Sequence, residues 1–292
     1  MRRRRGGFPW FAYLIVVLGA VAMVMPFLDM VMSSFKGPGE YGVIPYKLLP
    51  SSFNLDNYRE AFSQLELFRL FRNSVIVTIS VTVSVLITSS LAGYALAKLR
   101  FRGRAVIFRF ILATMMLPPF LLLIPTFLIM LNWPLAGGND ILGRGGDGGL
   151  ATSLISLILP FAVSGFGIFL MRQFMVSLPD EMLEAAKIDG ANQWQIWRLI
   201  VLPQTKPVAI TLGLITFIGA WNEYIWTLLI SSSDPDLQTL PVGIQLLQSF
   251  LDPDRTMPIV MAGLVLSTLP VLVVFLLFQK YYVRGVVLSG LK

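Results

Sequence analysis

The sequence predicts an all-α membrane protein with six transmembrane helices, and three observations carry that reading. Of the 292 residues, 55% are hydrophobic and only 13% charged, more apolar surface than a soluble core can hide. A spanning helix needs about 20 mainly apolar residues. Runs of that kind cover residues 10–35, 73–97, 105–131, 151–171, 207–231 and 258–282. These runs are continuous, unlike the alternating segments of about ten residues that build a barrel, and backbone satisfaction in lipid makes them helices. Little chain remains between them, so the expected organisation is one membrane domain over residues 1–292, with no room for a soluble catalytic domain.

The first run follows Arg2, Arg3, Arg4 and Arg5 and includes Ala20-Val21-Ala22, features of a signal peptide. Apolarity continues through Met30, past the usual extent of such a segment, so it reads as an uncleaved anchor. With the N-terminus inside, alternation places sixteen of the 23 Lys and Arg residues inside and seven outside. The inner set includes Arg2 to Arg5, the cluster from Lys98 to Arg109, Lys187, Arg198, Lys280, Arg284 and Lys292. The positive-inside rule thus predicts both termini in the cytoplasm. Segments 36–72, 132–150 and 232–257 then face outward and carry most of the acids, among them Asp234, Asp236, Asp252 and Asp254. Gly137-Gly138 and the glycines of 145–149 mark the middle segment as a mobile loop. The net charge of +7 is spread over membrane flanks and calls for no nucleic acid.

Several chemistries are excluded. The chain has no cysteine and no histidine, which removes thiol catalysis, Ser–His–Asp triads and the usual zinc sites. No lysine follows a glycine, so the phosphate-cradling P-loop is missing. Energy for uphill work must come from an ion gradient or from another polypeptide.

The polar stretch 177–206 lies between the fourth and fifth runs, on the predicted cytoplasmic side. Ser177 can cap a helix whose first turn holds Pro179, Asp180 and Glu181. Ala185 and Ala186 leave a flat surface that a partner can approach, and Gly190 is the expected left-handed stop. Asn192 and Gln195 form a near capping box for a second helix. There Trp194, Trp197 and Val201 make one apolar stripe. Pro203 and Pro207 end the unit. Two short helices joined at a glycine suit either docking to a partner or lying in the headgroup layer.

The order Glu184-Ala185-Ala186, Asp189-Gly190-Ala191, Ile200, Leu202-Pro203 resembles the EAA loop of bacterial ABC importer permeases. Trp197 departs from that pattern, which usually has phenylalanine. The resemblance extends through Leu91-Ala92-Gly93-Tyr94-Ala95-Leu96-Ala97-Lys98, Met116-Leu117-Pro118-Pro119 and Trp221-Asn222-Glu223-Tyr224. Thr239-Leu240-Pro241-Val242-Gly243 is similar to an outer loop that approaches a substrate-binding protein in the carbohydrate-uptake, MalG-like branch. It implies the type I importer permease fold and an inner-membrane location. It implies that the helix pair enters a cleft on an ATPase subunit, where Glu184 meets a basic residue, Gly190 sets the interhelix angle and Trp197 fills a pocket. The implied partners are a second permease, two ATPase subunits carrying ATP and Mg²⁺, and an extracytoplasmic binding protein. This chain would bind no cofactor or metal and catalyse nothing. The implied cargo is a sugar or small oligosaccharide, with glycerol phosphate or a polyol as the alternative within the family.

Inside the membrane, Glu223 beside Asn222 is the costly residue. It can bond cargo hydroxyls or gate a pore, or simply hold helices together, and the structural role is the favoured one. Asp29, near the outer end of the first run, reads as structural. Pro118, Pro119 and Pro125 should kink the third run. The rival from another class is an ion-coupled carrier using Glu223, but such carriers show internal repeats and paired broken helices, and no clear repeat is visible here.

Overall fold

The structure, a computed structural model, describes residues 10–64, 66–232, 234–247 and 253–289. Arg2 to Arg5, Asp252 and Lys292 of the charge argument lie outside the described residues. The helices in order are α1 (Trp10–Ser33), α2 (Asp56–Gln64), α3 (Leu67–Lys98), α4 (Arg104–Thr114), α5 (Pro119–Leu131), α6 (Ile155–Phe161) and α7 (Gly165–Val176). They continue with α8 (Asp180–Ile188), α9 (Gln193–Gln204), α10 (Lys206–Trp221), α11 (Ile225–Ser231), α12 (Leu240–Leu247) and α13 (Pro253–Ser289). No strand occurs among the described residues. Three helices, α1, α3 and the Arg255–Gln279 part of α13, are each long and apolar enough to cross a bilayer. The number rises to six if the bent pairs α4–α5, α6–α7 and α9–α10 each count as one span.

The bends have local causes. The α4–α5 break is 95° and falls at the prolines. Pro118 is extended at φ −60°, ψ 128°, as expected for a residue whose successor, Pro119, clashes with a helical predecessor. Pro125 lies within α5 without breaking it. The α6–α7 pair bends by 43° after Pro160. Ser164 then restarts the helix, its hydroxyl accepting the Gly167 amide at 3.1 Å.

The fifth run differs from expectation. It is not one helix to Ser231 but α10 and α11, separated at Asn222–Tyr224. No proline breaks it. Asn222 turns its amide back to the Ile218 carbonyl (2.8 Å), and the Glu223 carboxylate accepts the Trp226 amide (2.9 Å). Short polar side chains here offer the backbone bonds that compete with a continuous helix.

Loop 132–150, expected to be mobile, is heavily hydrogen-bonded. Buried Asn139 donates to the Leu131 and Trp133 carbonyls and accepts from the Gly146 amide. Asp140 accepts from the Leu142 and Arg144 amides, both at 2.8 Å. Gly149 sits at φ 58°, where an added Cβ would lie 2.3 Å from the Leu131 carbonyl oxygen. Its glycines permit tight packing and left-handed turns.

The chain forms two compact units, residues 1–68 with 243–269 and residues 69–242 with 270–292. In the first, α1 has an apolar surface that stays exposed along its length. After it, Asn57 donates to the Ser34 and Lys36 carbonyls, and buried Lys36 lies over the Tyr46 ring at 4.4 Å. In the second, the apolar core joins Val77, Val81 and Val85 of α3 to Met171 and Met175 of α7, and to Leu183, Ile196 and Val201 of α8 and α9. α3 and α7 approach closely because Gly93 has no side chain: a Cβ there would meet Met171 Cβ at 2.9 Å. Small residues of this kind let helix backbones touch in a membrane.

Candidate functional site

The segment between α7 and α10 is a helix–glycine–helix unit tied to the core from one side. Ser177 does not cap α8; it closes α7, its hydroxyl bonding the Phe174 carbonyl, because Pro179 is the residue that leads into α8. Asp180 and Glu181 occupy the first turn and Lys187 the last, as the helix dipole favours. The end of α8 is a Schellman motif: Ala191 N–H reaches the Ala186 carbonyl (2.9 Å) and Gly190 N–H the Lys187 carbonyl (3.0 Å). Gly190 sits at φ 83° with nothing within 4 Å of its missing Cβ, so backbone conformation, not crowding, requires glycine there. Asn192 and Gln195 then form a complete capping box for α9.

Within α9, residues Ile196–Val201 wind as a π-helix just before Pro203. Proline removes the N–H that an α-helix would send to Leu199, four residues back. α9 meets α10 at 78°, at buried Thr205. α9 therefore runs across the direction of α10.

Two residues of α3, outside the expected set, anchor this unit. Tyr94 Oη donates to Gln193 Oε1 at 2.7 Å. Lys98, at the end of α3, donates to the Leu178 carbonyl (2.7 Å) and to Asp180 (2.6 Å). Tyr94 and Lys98 both belong to the Leu91–Lys98 stretch, so the signal was present in the sequence without its structural meaning. The Lys98 hydrogen bond holds the Asp180 carboxyl below its ordinary range.

The expected docking residues divide into two groups. Glu184, Ala185, Asp189, Gly190 and Pro203 are exposed, and Ala191 is half-buried. Glu184 makes no ion pair among the described residues. Beside this face Ile188, Trp194 and Leu199 are exposed apolar side chains, unusual for a surface that meets only water. Ala186 and Trp197, by contrast, are buried in the chain's own core, Trp197 at 8% exposure. Of the expected flat pair of alanines, only Ala185 is exposed. The Trp194–Trp197–Val201 stripe is likewise split, because the exposed Trp194 ring packs tilted against buried Trp197, with centroids 4.7 Å apart.

The residues of the fifth run line a cavity of about 590 Å³ with Pro119, Phe120, Thr126 and Phe161. Asn222, Glu223, Tyr224 and Trp226 all face it, while Trp221 is buried against Phe71 and Phe217. Three helix breaks thus converge on one concave space, and Glu223 is its sole charged lining residue among the described residues. Glu223 bonds within its own segment, not between helices as expected.

Thr239-Leu240-Pro241-Val242-Gly243 is not an exposed loop. Pro241 is half-buried and the other four are buried, Thr239 at 4% exposure and Leu240 and Val242 at 0%. The Leu240 amide donates to Ser74 Oγ (2.8 Å), and Asn73 bridges the Asp236 and Gln238 carbonyls (2.7 and 3.0 Å). Arg69 pairs with Asp236.

Residues 84–288 match the family described as "Binding-protein-dependent transport system inner membrane component". The chain belongs to that family. It is an inner-membrane transport subunit that crosses the bilayer several times. Among curated relatives, the arabinooligosaccharides transport system permease protein AraQ of Halalkalibacterium halodurans is 31% identical over 94% of this chain and 92% of its own length. The sn-glycerol-3-phosphate transport system permease protein UgpE of Brucella abortus is 30% identical over 94% of each. Among solved structures, a chain of a bacterial ABC transporter for import of the acidic polysaccharide alginate superposes with TM-score 0.80 at 24% identity. That match covers 97% of this chain and 99% of the other, and carries the permease fold.

Proposed function

We propose that the chain is the non-catalytic permease subunit of an ATP-driven importer for a sugar or small oligosaccharide. Both termini are cytoplasmic, and α8–α9 docks on one of two ATPase subunits that bind ATP and Mg²⁺. A second permease completes the pore, and an extracytoplasmic binding protein delivers the cargo. The observation that carries this reading is the α8–Gly190–α9 unit, rigid on its inner side and offering Glu184, Ala185 and Asp189 on its outer side. ATP-driven closure of the ATPase pair would push on this unit and, through Tyr94, Lys98 and the α9–α10 junction, on the spans. The same unit displaces the ion-coupled rival, which has no use for it.

The relative UgpE favours a second cargo class, glycerol phosphate. The cavity at Asn222–Trp226 argues against it, because its charged lining group is a carboxylate and a phosphate there would meet repulsion. Neutral hydroxyls suit aromatic walls with a few polar groups.

The test is ATP hydrolysis and sugar uptake in liposomes holding this chain with its partner permease, ATPase and binding protein, comparing wild type with Glu184→Lys. Hydrolysis that responds to loaded binding protein and is lost in the variant is the expected result. Uptake by the purified chain alone, driven by a proton or sodium gradient, would overturn the reading.

A further inference from the structure

We infer that the turn joining α3 to α4 binds the headgroup of an anionic phospholipid. Four arginines, Arg100, Arg102, Arg104 and Arg109, fall within ten residues, and none forms an ion pair among the described residues. The turn holds Arg104 in place. Gly103 takes φ 88°, and Arg104 donates from Nη1 to the Leu99 carbonyl at 3.1 Å, closing the loop on itself.

Two cavities of about 460 Å³ adjoin this turn, and both are lined by Arg100 and Arg104. The one facing α8 also contains the carboxylates of Asp180 and Glu184 beside Lys98 and Lys187, so its cations already have internal counter-charges, Lys98 pairing with Asp180. The other is lined by Arg100, Phe101, Gly103, Arg104, Ala105 and Val106, with no acid. A phosphate competes with those carboxylates in the first cavity and meets no competing anion in the second.

The same cavity indicates that the anion carries acyl chains. Val106 lines it, and Val106, Ile107 and Phe110, on either side of Arg109 in α4, are exposed at 61%, 47% and 69%. Basic residues directly at the membrane end of an apolar helix are the pattern that recognises anionic lipid headgroups. A free phosphate or a soluble acidic partner would have no use for the apolar continuation.

The inference rests on the membrane placement proposed above, but its readout is lipid retention and not transport, so the two can fail separately. The full-length chain is purified into mixed micelles with equal phosphatidylglycerol and phosphatidylcholine, and retained lipid is counted by native mass spectrometry. Wild type should retain phosphatidylglycerol preferentially. Arg100→Gln removes a guanidinium that makes no bond within the turn, so the fold should persist while the preference drops about fivefold. Arg144→Gln, in loop 132–150, should leave it unchanged. Equal retention of the two lipids by wild type, or an unchanged preference in Arg100→Gln, overturns the inference. Displacement of phosphatidylglycerol by millimolar inorganic phosphate also overturns it, because the site would then be one for free anions.

Discussion

Segments 177–206 and 234–243 are both polar stretches between apolar helices, and both carry a family pattern, yet the fold uses them in opposite ways. In the first, Glu184, Ala185 and Asp189 face outward, while Tyr94, Gln193 and Lys98 fasten the unit from within. In the second, Thr239, Leu240 and Val242 face inward, fastened to α3 by Asn73 and Ser74. A motif records that residues are required, not whether they meet a partner or the chain's own core. Burial separates the two cases: the first segment is a surface held up by a joint, the second is a joint.

The largest effect should come from the hinge of the exposed unit. Gly190→Pro forces φ from 83° to about −65° and destroys the Schellman turn that aims α8 against α9. Membrane insertion should be unaffected, because no apolar run is changed, but ATP-driven uptake should be abolished in reconstituted liposomes. Full uptake by that variant would show that the angle between α8 and α9 carries no force.

A second test separates the inner from the outer side of the same unit. Trp197→Ala empties a core position and should cost about 3–5 kcal/mol, whereas Trp194→Ala, at 57% exposure, should cost well under half of that. Trp197 Nε1 has no hydrogen-bond partner, so Trp197→Phe loses volume but no polar contact and should stay within about 1.5 kcal/mol of wild type. Denaturant unfolding in detergent provides the measurement. Equal losses for both alanine variants would erase the distinction between the two faces.

The joint at 234–243 predicts a loss of stability rather than of coupling. Asn73 is fully buried and its amide satisfies two carbonyls at once. Asn73→Ala should cost about 1–3 kcal/mol for the acceptors left without a donor. The variant should keep its binding-protein response in proportion to the folded fraction. A selective loss of that response in fully folded protein would instead make the segment a contact surface.

The helical class and the polar segment were legible in the sequence because apolar length and local punctuation are local properties. Gly190, the Asn192–Gln195 capping box and the break near Pro118 follow from residue chemistry within one turn. The interruption at Asn222–Glu223 was less legible. Its residues are expensive in lipid, but nothing local says that they cap a restarted helix instead of bridging to another. The fastening of 234–243 to α3, and the anchoring by Tyr94 and Lys98, depend on residues about 80 to 165 positions apart. Such contacts leave no periodic trace. Loop 132–150 failed for a related reason: glycine signals turns, and whether those turns are held depends on partners such as Asn139 that composition does not reveal.

The smallest predicted effect concerns the ion pair between Lys98 and Asp180. The Lys98 ammonium, by hydrogen bond and by charge, lowers the Asp180 carboxyl below its ordinary 3.8. A depressed folded-state pKa means that the carboxylate favours the folded state above the unfolded value, and that this contribution fades as pH falls through the folded one. Asp180 is largely solvent-exposed, so screening leaves the effect small. Lys98 also keeps the Leu178 carbonyl when Asp180 is neutral. Asp180→Asn should therefore lower the melting temperature slightly at pH 7, unchanged between pH 5 and 8, with the gap closing on acidification below about pH 4 and in high salt. A gap that persists at low pH would mean that the side chain's contacts, and not its charge, hold the start of α8 against the end of α3.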